Sequence, residues 1–180
     1  MTPLPPRAAA PTPPTSLRCG PYAIDRERIA AFAAALGDPH PAYTDPAAAR
    51  ALGHPDTIAP PTYLATLAAR AEDALLSARP QITSLDGAVH RSQSLRHARP
   101  AHAGDTLHAT VRLTEASALA GCELLTLDCE FHDAAGLWVA TTTSALLCRV
   151  APGPPPAQPR PGSRRPRVRR PHDPTGSEHP

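Results

Sequence analysis

Neither lysine nor asparagine occurs in the 180 residues, so all 18 basic side chains are arginine. With so much alanine and proline, that bias points to a GC-rich genome rather than to a binding function. No apolar run approaches the roughly 20 residues a membrane helix needs, and the N-terminus lacks a signal-peptide core. A soluble, cytoplasmic protein with no membrane association is expected. Cysteine is sparse, and Cys19, Cys122, Cys129 and Cys148 form neither a CxxC pair nor a metal-ligand spacing. Reduced, packed thiols are expected, in keeping with the cytoplasm. His90, His97, His102 and His108 share no HxH or HxxxH spacing, so no metal site is expected.

Proline, by contrast, is plentiful at 25 residues, and it crowds into the two ends. Neither end has apolar periodicity to offset the entropy of ordering its chain. Residues 1–17 and 151–180 are therefore read as disordered tails, leaving 18–150 as one domain of ordinary size. The net charge of +2 hides an asymmetry: residues 25–150 hold ten Arg against fourteen acids, and the last thirty hold six Arg against two. The stretch RRPRVRR has no aromatics for base stacking and matches no nucleic-acid motif, so it reads as solvated tail rather than a nucleic-acid contact.

Within the domain, Asp25 is a good N-cap, and Ile29, Phe32, Ala33 and Leu36 recur at helical spacing up to Gly37. Asp38-Pro39-His40-Pro41 makes a stiff loop, because two prolines remove donors and push their predecessors out of helical geometry. Asp45-Pro46 starts a short helix that Gly53 stops. A third helix follows Pro60-Pro61, with Leu64, Leu67, Ala68, Ala71 and Leu75 on its apolar face and Arg70, Glu72 and Asp73 expected toward solvent. After Pro80 the period becomes two. Val89 to Arg99, Thr106 to Thr114, Leu125 to Phe131 and Leu137 to Val150 read as strands, the last a central one, with a hairpin at Asp133–Gly136. Helices followed by an antiparallel meander make an α+β fold with an Ala-rich helix buried on a sheet.

The blocks YAIDRERIAAFAAALGDPHPAYTDPAAARALGHPDTIAPPTYL, AVHRSQSLRHARPAHAGDTL and LLTLDCEFHDAAGLWVATTTSALL occur in an order that resembles the MaoC-like hotdog dehydratases. The resemblance is to the MaoC N-terminal, fungal-fatty-acid-synthase-like dehydratase domain, including the non-catalytic subunits of actinobacterial (3R)-hydroxyacyl-thioester dehydratases. It implies a hotdog fold, a long helix wrapped by an antiparallel sheet and normally dimerised. It also implies syn elimination of water from a 3-hydroxyacyl thioester, which needs a base, an acid and a stabilised enolate oxygen but no cofactor. In competent relatives a G-D-x-N-P-[apolar]-H motif supplies Asp and His, and a glycine amide at the start of the helix polarises the carbonyl.

Here Asp38 is retained, Tyr43 stands where that His belongs, His40 replaces the Asn, and Pro61 occupies the glycine position without an N–H. The resemblance thus implies a non-catalytic, acyl-tunnel-forming half in fatty-acid or polyketide assembly. Its partner would be a catalytic MaoC-like subunit, or a second copy of the chain, and its substrate a carrier-protein or coenzyme A thioester. Asp38, His40 and Tyr43 are the catalytic candidates, and Thr62, Tyr63, His90 and Gln93 the substrate-binding ones. Two further readings stay open: a self-sufficient hydratase using Asp38 and His40, and an acyl-binding module without turnover. Asp38 as a loop cap and Tyr43 as a packed aromatic are the plain structural alternatives.

Overall fold

A computed structural model describes residues 15–79, 82, 87–119 and 121–149. The tails expected at 1–17 and 151–180 therefore lie outside the described residues, apart from 15–17. The order of elements is β1 (Ser16–Ala23), α1 (Arg26–Leu36), a 3-10 turn (Pro41–Tyr43), α2 (Pro46–Ala51), α3 (Tyr63–Leu76), β2 (Val89–His97), β3 (Thr106–Leu119), β4 (Cys122–His132) and β5 (Trp138–Arg149). Ser16 and Leu17 belong to β1, so the strand starts inside the stretch that proline content marks as tail.

Caps and breakers act where the sequence puts them. Asp25 accepts from the Arg28 amide at 2.8 Å, and Gly37 closes α1 at φ 69°. Asp45 accepts from the Ala47 amide at 2.8 Å to start α2. Ile29 and Ala33 are buried on the inner face of α1, whereas Leu36, in phase with them, is 53% exposed.

The five strands form one antiparallel sheet in the order β1-β3-β4-β5-β2. Alternation decides the faces: Leu107, Ala109 and Val111 of β3, with Leu125, Leu127, Cys129 and Phe131 of β4, are all 0% exposed. Against them lies α3, whose Leu64, Leu67, Ala68, Ala71 and Leu75 are buried as the spacing requires. Each fully buried Leu contributes about 1.5–3 kcal/mol, so this helix-on-sheet contact is the core. β5 is an interior strand, as its two-sided apolarity predicts. β3 is longer than expected, running to Leu119, which pairs with Cys122 across a tight turn.

β2 differs from the other strands. It sits at the end of the sheet, and eight of its nine residues are exposed, Leu95 being the half-buried one.

Candidate functional site

Where α3 begins, the chain leaves a cleft of about 290 Å³ between the helix start and the segment after β2. Tyr43, Ile58, Pro61, Leu64, His97 and Arg99 are among its lining residues, and its walls are mostly apolar. Two backbone rungs hold the walls at a set spacing, Ala59 N to Ala101 O at 2.7 Å and Ala103 N to Thr57 O at 2.9 Å. Arg99 anchors the far wall with a two-pronged contact to Asp105 at 2.7 and 3.0 Å and a third bond to Asp133 at 3.3 Å. Asp105 is only 7% exposed, and such paired, charge-assisted bonds are the stronger kind. On the opposite side, Arg26 grips Asp56 at 2.8 and 2.6 Å and so pins the turn that leads into Ile58.

The loop bearing Asp38 and His40 is held by its own side chains. Asp38 Oδ1 accepts from the His40 amide at 3.2 Å, and His40 Nδ1 accepts from the Ala42 amide at 3.2 Å. A ring nitrogen that accepts a backbone N–H carries no proton, so the neutral His40 ring must be protonated at Nε2. Neither ring nitrogen then offers a free lone pair. The His40 ring lies tilted against Tyr43, centroids 5.2 Å apart, and is itself exposed. Tyr43 is 9% exposed; burial first, then the charge and hydrogen bond of Asp38, raise its hydroxyl above the usual 10. A phenol shifted that way is a poorer acid and remains protonated at neutral pH.

At the helix start, Pro61 lines the cleft and has no N–H, and the Tyr63 amide is already bonded to the Pro60 carbonyl at 2.9 Å. Thr62 is the N-cap residue, exposed and without a side-chain cap hydrogen bond. Thr62 does not line the cleft, although its neighbour Pro61 does. Tyr63 points the other way. It is 5% exposed and packs edge-on against Phe32 at 5.3 Å, so it is a core aromatic rather than a lining residue.

His90 and Gln93 lie apart from the cleft, on β2, and are brought together by a residue that sequence reasoning misplaced. Glu72, expected at solvent, is 1% exposed. Its Oε1 accepts from Ser144 Oγ at 2.8 Å, Ser144 accepts from Gln93 Nε2 at 3.3 Å, and His90 Nε2 lies 3.9 Å from Glu72 Oε2. Desolvation raises the Glu72 carboxyl, opposed by Ser144 and His90. Helical spacing contained the correction: Glu72 falls four residues after Ala68 and four before Leu76, both buried, so it shares their stripe. Ser144 and Thr142 carried no signal beyond their place in an alternating strand.

Cys129 and Cys148 are buried and, like Cys19 and Cys122, free thiols; burial pushes Cys129 up to about 12. Among the described residues no group of three or more His, Cys, Asp or Glu could hold a metal ion, and no helix is long and apolar enough to cross a membrane.

Residues 15–142 match the family described as FAS1-like, dehydratase domain region. A UPF0336 protein of Streptomyces coelicolor is 41% identical over 140 residues, 77% of this chain and 90% of that protein. Another, from Thermobifida fusca, is 36% identical over 129 residues, 72% and 85% of the two chains. Among solved structures, the truncated HadBC (3R-hydroxyacyl-ACP dehydratase) complex of Mycobacterium tuberculosis superposes with a TM-score of 0.67 at 23% identity, covering 73% of this chain and 93% of that one. A MaoC-like dehydratase superposes with a TM-score of 0.68 at 31% identity over 76% of this chain, which spans 42% of that longer protein.

Proposed function

The chain belongs to the FAS1-like dehydratase-region family and has the MaoC-like hotdog fold, and on that premise we propose that it is a non-catalytic, acyl-tunnel-forming subunit of a heteromeric (3R)-3-hydroxyacyl-thioester dehydratase. The supporting feature is an apolar cleft fit for an acyl thioester beside a loop whose polar groups are already engaged. Elimination needs a proton acceptor within hydrogen-bond reach of C2 and a donor for the developing oxyanion. His40 spends Nδ1 on the Ala42 amide, Asp38 serves the His40 amide and Tyr43, and Pro61 has nothing to donate. These are separate deficits, in proton transfer and in charge stabilisation, so one compensating group does not repair both.

The missing groups would come from a catalytic hotdog subunit, which supplies Asp and His of its own. β2 suits that partner: a terminal strand with an open edge accepts another strand by backbone pairing. The substrate would be a carrier-protein or coenzyme A thioester.

The test is to purify the chain alone and together with the MaoC-like protein encoded beside it, then follow hydration of a crotonyl thioester. Turnover is expected only in the mixture, and His40→Ala should leave its rate unchanged. Rapid turnover by the isolated chain, abolished by His40→Ala, would overturn the proposal in favour of a self-sufficient hydratase.

A further inference from the structure

Away from the cleft, two buried polar atoms on facing elements have no hydrogen-bond partner among the described residues: Glu72 Oε2 on α3, with His90 Nε2 no nearer than 3.9 Å, and Thr142 Oγ1 on β5. Thr142 is 0% exposed, and both it and Ser144 face the helix from β5. Leaving such groups unsatisfied disfavours the folded state. Packing alone does not call for them, since Ala68 and Leu76 on the same stripe of α3 are apolar.

Their position relates them to the cleft. Leu64 lines the cleft, and Glu72 lies eight residues further along the same helix, about 12 Å at 1.5 Å per residue. On the other wall His97 lines the cleft, and Gln93 lies four residues back along β2, about 13 Å at the usual strand rise. Both walls thus reach the same polar cluster at the same depth. On α3 between them Ala65 and Ala69 are small and half-buried, and eight of the nine β2 residues are exposed.

We propose that Glu72 and Thr142, steadied by Ser144 and Gln93, form a binding station for an oxygen-bearing group, a hydroxyl or a ketone, partway along an acyl chain whose thioester end occupies the cleft. The proposal rests on the acyl-subunit reading above and narrows its substrate class to oxygenated rather than fully saturated acyl thioesters. Ser144 donates to Oε1, which makes Oε1 the carbonyl-like oxygen and leaves any carboxyl proton on Oε2. Burial favours that neutral form. A ketone would accept from Oε2–H and from the Thr142 hydroxyl; a substrate hydroxyl would bond to both. A saturated chain offers no hydrogen bond to Thr142 Oγ1 or to Glu72 Oε2, which otherwise faces His90 Nε2 at 3.9 Å, and sites built to hydrogen-bond a substrate discriminate strongly against the analogue that lacks the group.

The experiment uses the full chain in complex with its hotdog partner and measures dissociation constants for dodecanoyl-pantetheine and for analogues carrying one hydroxyl or keto group walked carbon by carbon along the chain. At one or two mid-chain positions the oxygenated analogue should bind at least about 10-fold tighter than the saturated one. The near-isosteric double variant Glu72→Met with Thr142→Val, shown folded by its melting curve, should lose that preference. Equal affinities at every position, or a preference that survives in the double variant, would overturn the station while leaving the acyl-subunit reading standing. Failure of every acyl ligand to bind would overturn both. If Glu72→Met weakens subunit association while wild-type ligand affinities stay equal, the partner supplies the missing hydrogen bond and the proposal is wrong.

Discussion

Glu72 is a buried carboxyl on a stripe of α3 shared with Ala68 and Leu76, and its protonation is coupled to folding. Desolvation outweighs the opposing effects of Ser144 and His90, so its folded pKa lies above the unfolded value near 4.3. The folded state therefore holds a proton that the unfolded chain releases, and this group's contribution to stability falls as pH rises through that interval. Asp56 and Asp133 act with the opposite sign. The Arg26 guanidinium holds Asp56 low, and the Leu137 amide, with Arg99, holds Asp133 low, so their contribution is lost as pH falls into the acid range. Subtracting the two curves isolates Glu72. Melting temperature against pH for wild type and Glu72→Gln should diverge above about pH 4.3, the variant becoming relatively more stable toward neutrality. Parallel curves would mean that Glu72 titrates as it does in the unfolded chain. His40 shows how a residue of the right chemistry can be spent locally: one backbone bond to its Nδ1 decides its tautomer, and no sequence pattern records that bond.

At the level of elements, β1 is where composition misled. Ser16 to Cys19 alternate polar and apolar, but the strand contains Gly20-Pro21 and adjoins a proline-rich stretch, which mask so short a signal. It forms because the edge of β3 is available: Leu17 pairs with Val111 and Cys19 with Ala109, and after an irregularity Tyr22 pairs with Leu107. Gly20 makes that irregularity possible. Its φ is 105°, and a Cβ there would stand 2.9 Å from the Leu107 carbonyl oxygen. Gly20→Ala should cost about 2–3 kcal/mol through backbone strain and this close approach, seen as a melting temperature lowered by about 5–10 °C. An unchanged melt would show that β1 adapts without consequence for the sheet. By comparison, α1, α2 and α3 were legible throughout, because caps at Asp25 and Asp45 and breakers at Gly37 and Pro60-Pro61 act within one turn of the residues they govern.

For the whole molecule, the exposed β2 bears on the proposed partnership. A nine-residue terminal strand, exposed at eight of its positions, is the place where a second hotdog domain would extend the sheet. Val89→Lys combined with Leu95→Lys should weaken association with the proposed hotdog partner by at least about 10-fold, since charge on an open edge opposes strand addition. Sedimentation of the mixture checks this, and a complex of undiminished affinity would locate the interface elsewhere.

Local order in the chain was enough to determine the helices, the alternating faces of β3, β4 and β5, the α+β class and the departures at Tyr43 and Pro61. Each of those depends on residues within a few positions of one another, where spacing and turn chemistry act directly. Only the tertiary structure decided that Tyr43 and Pro61 line one cleft, that Tyr63 belongs to the core, that β1 joins the sheet, and that Glu72 is buried against Ser144. Those are contacts between residues tens of positions apart, and whether a polar side chain meets water or a partner there depends on which surface the rest of the fold brings over it.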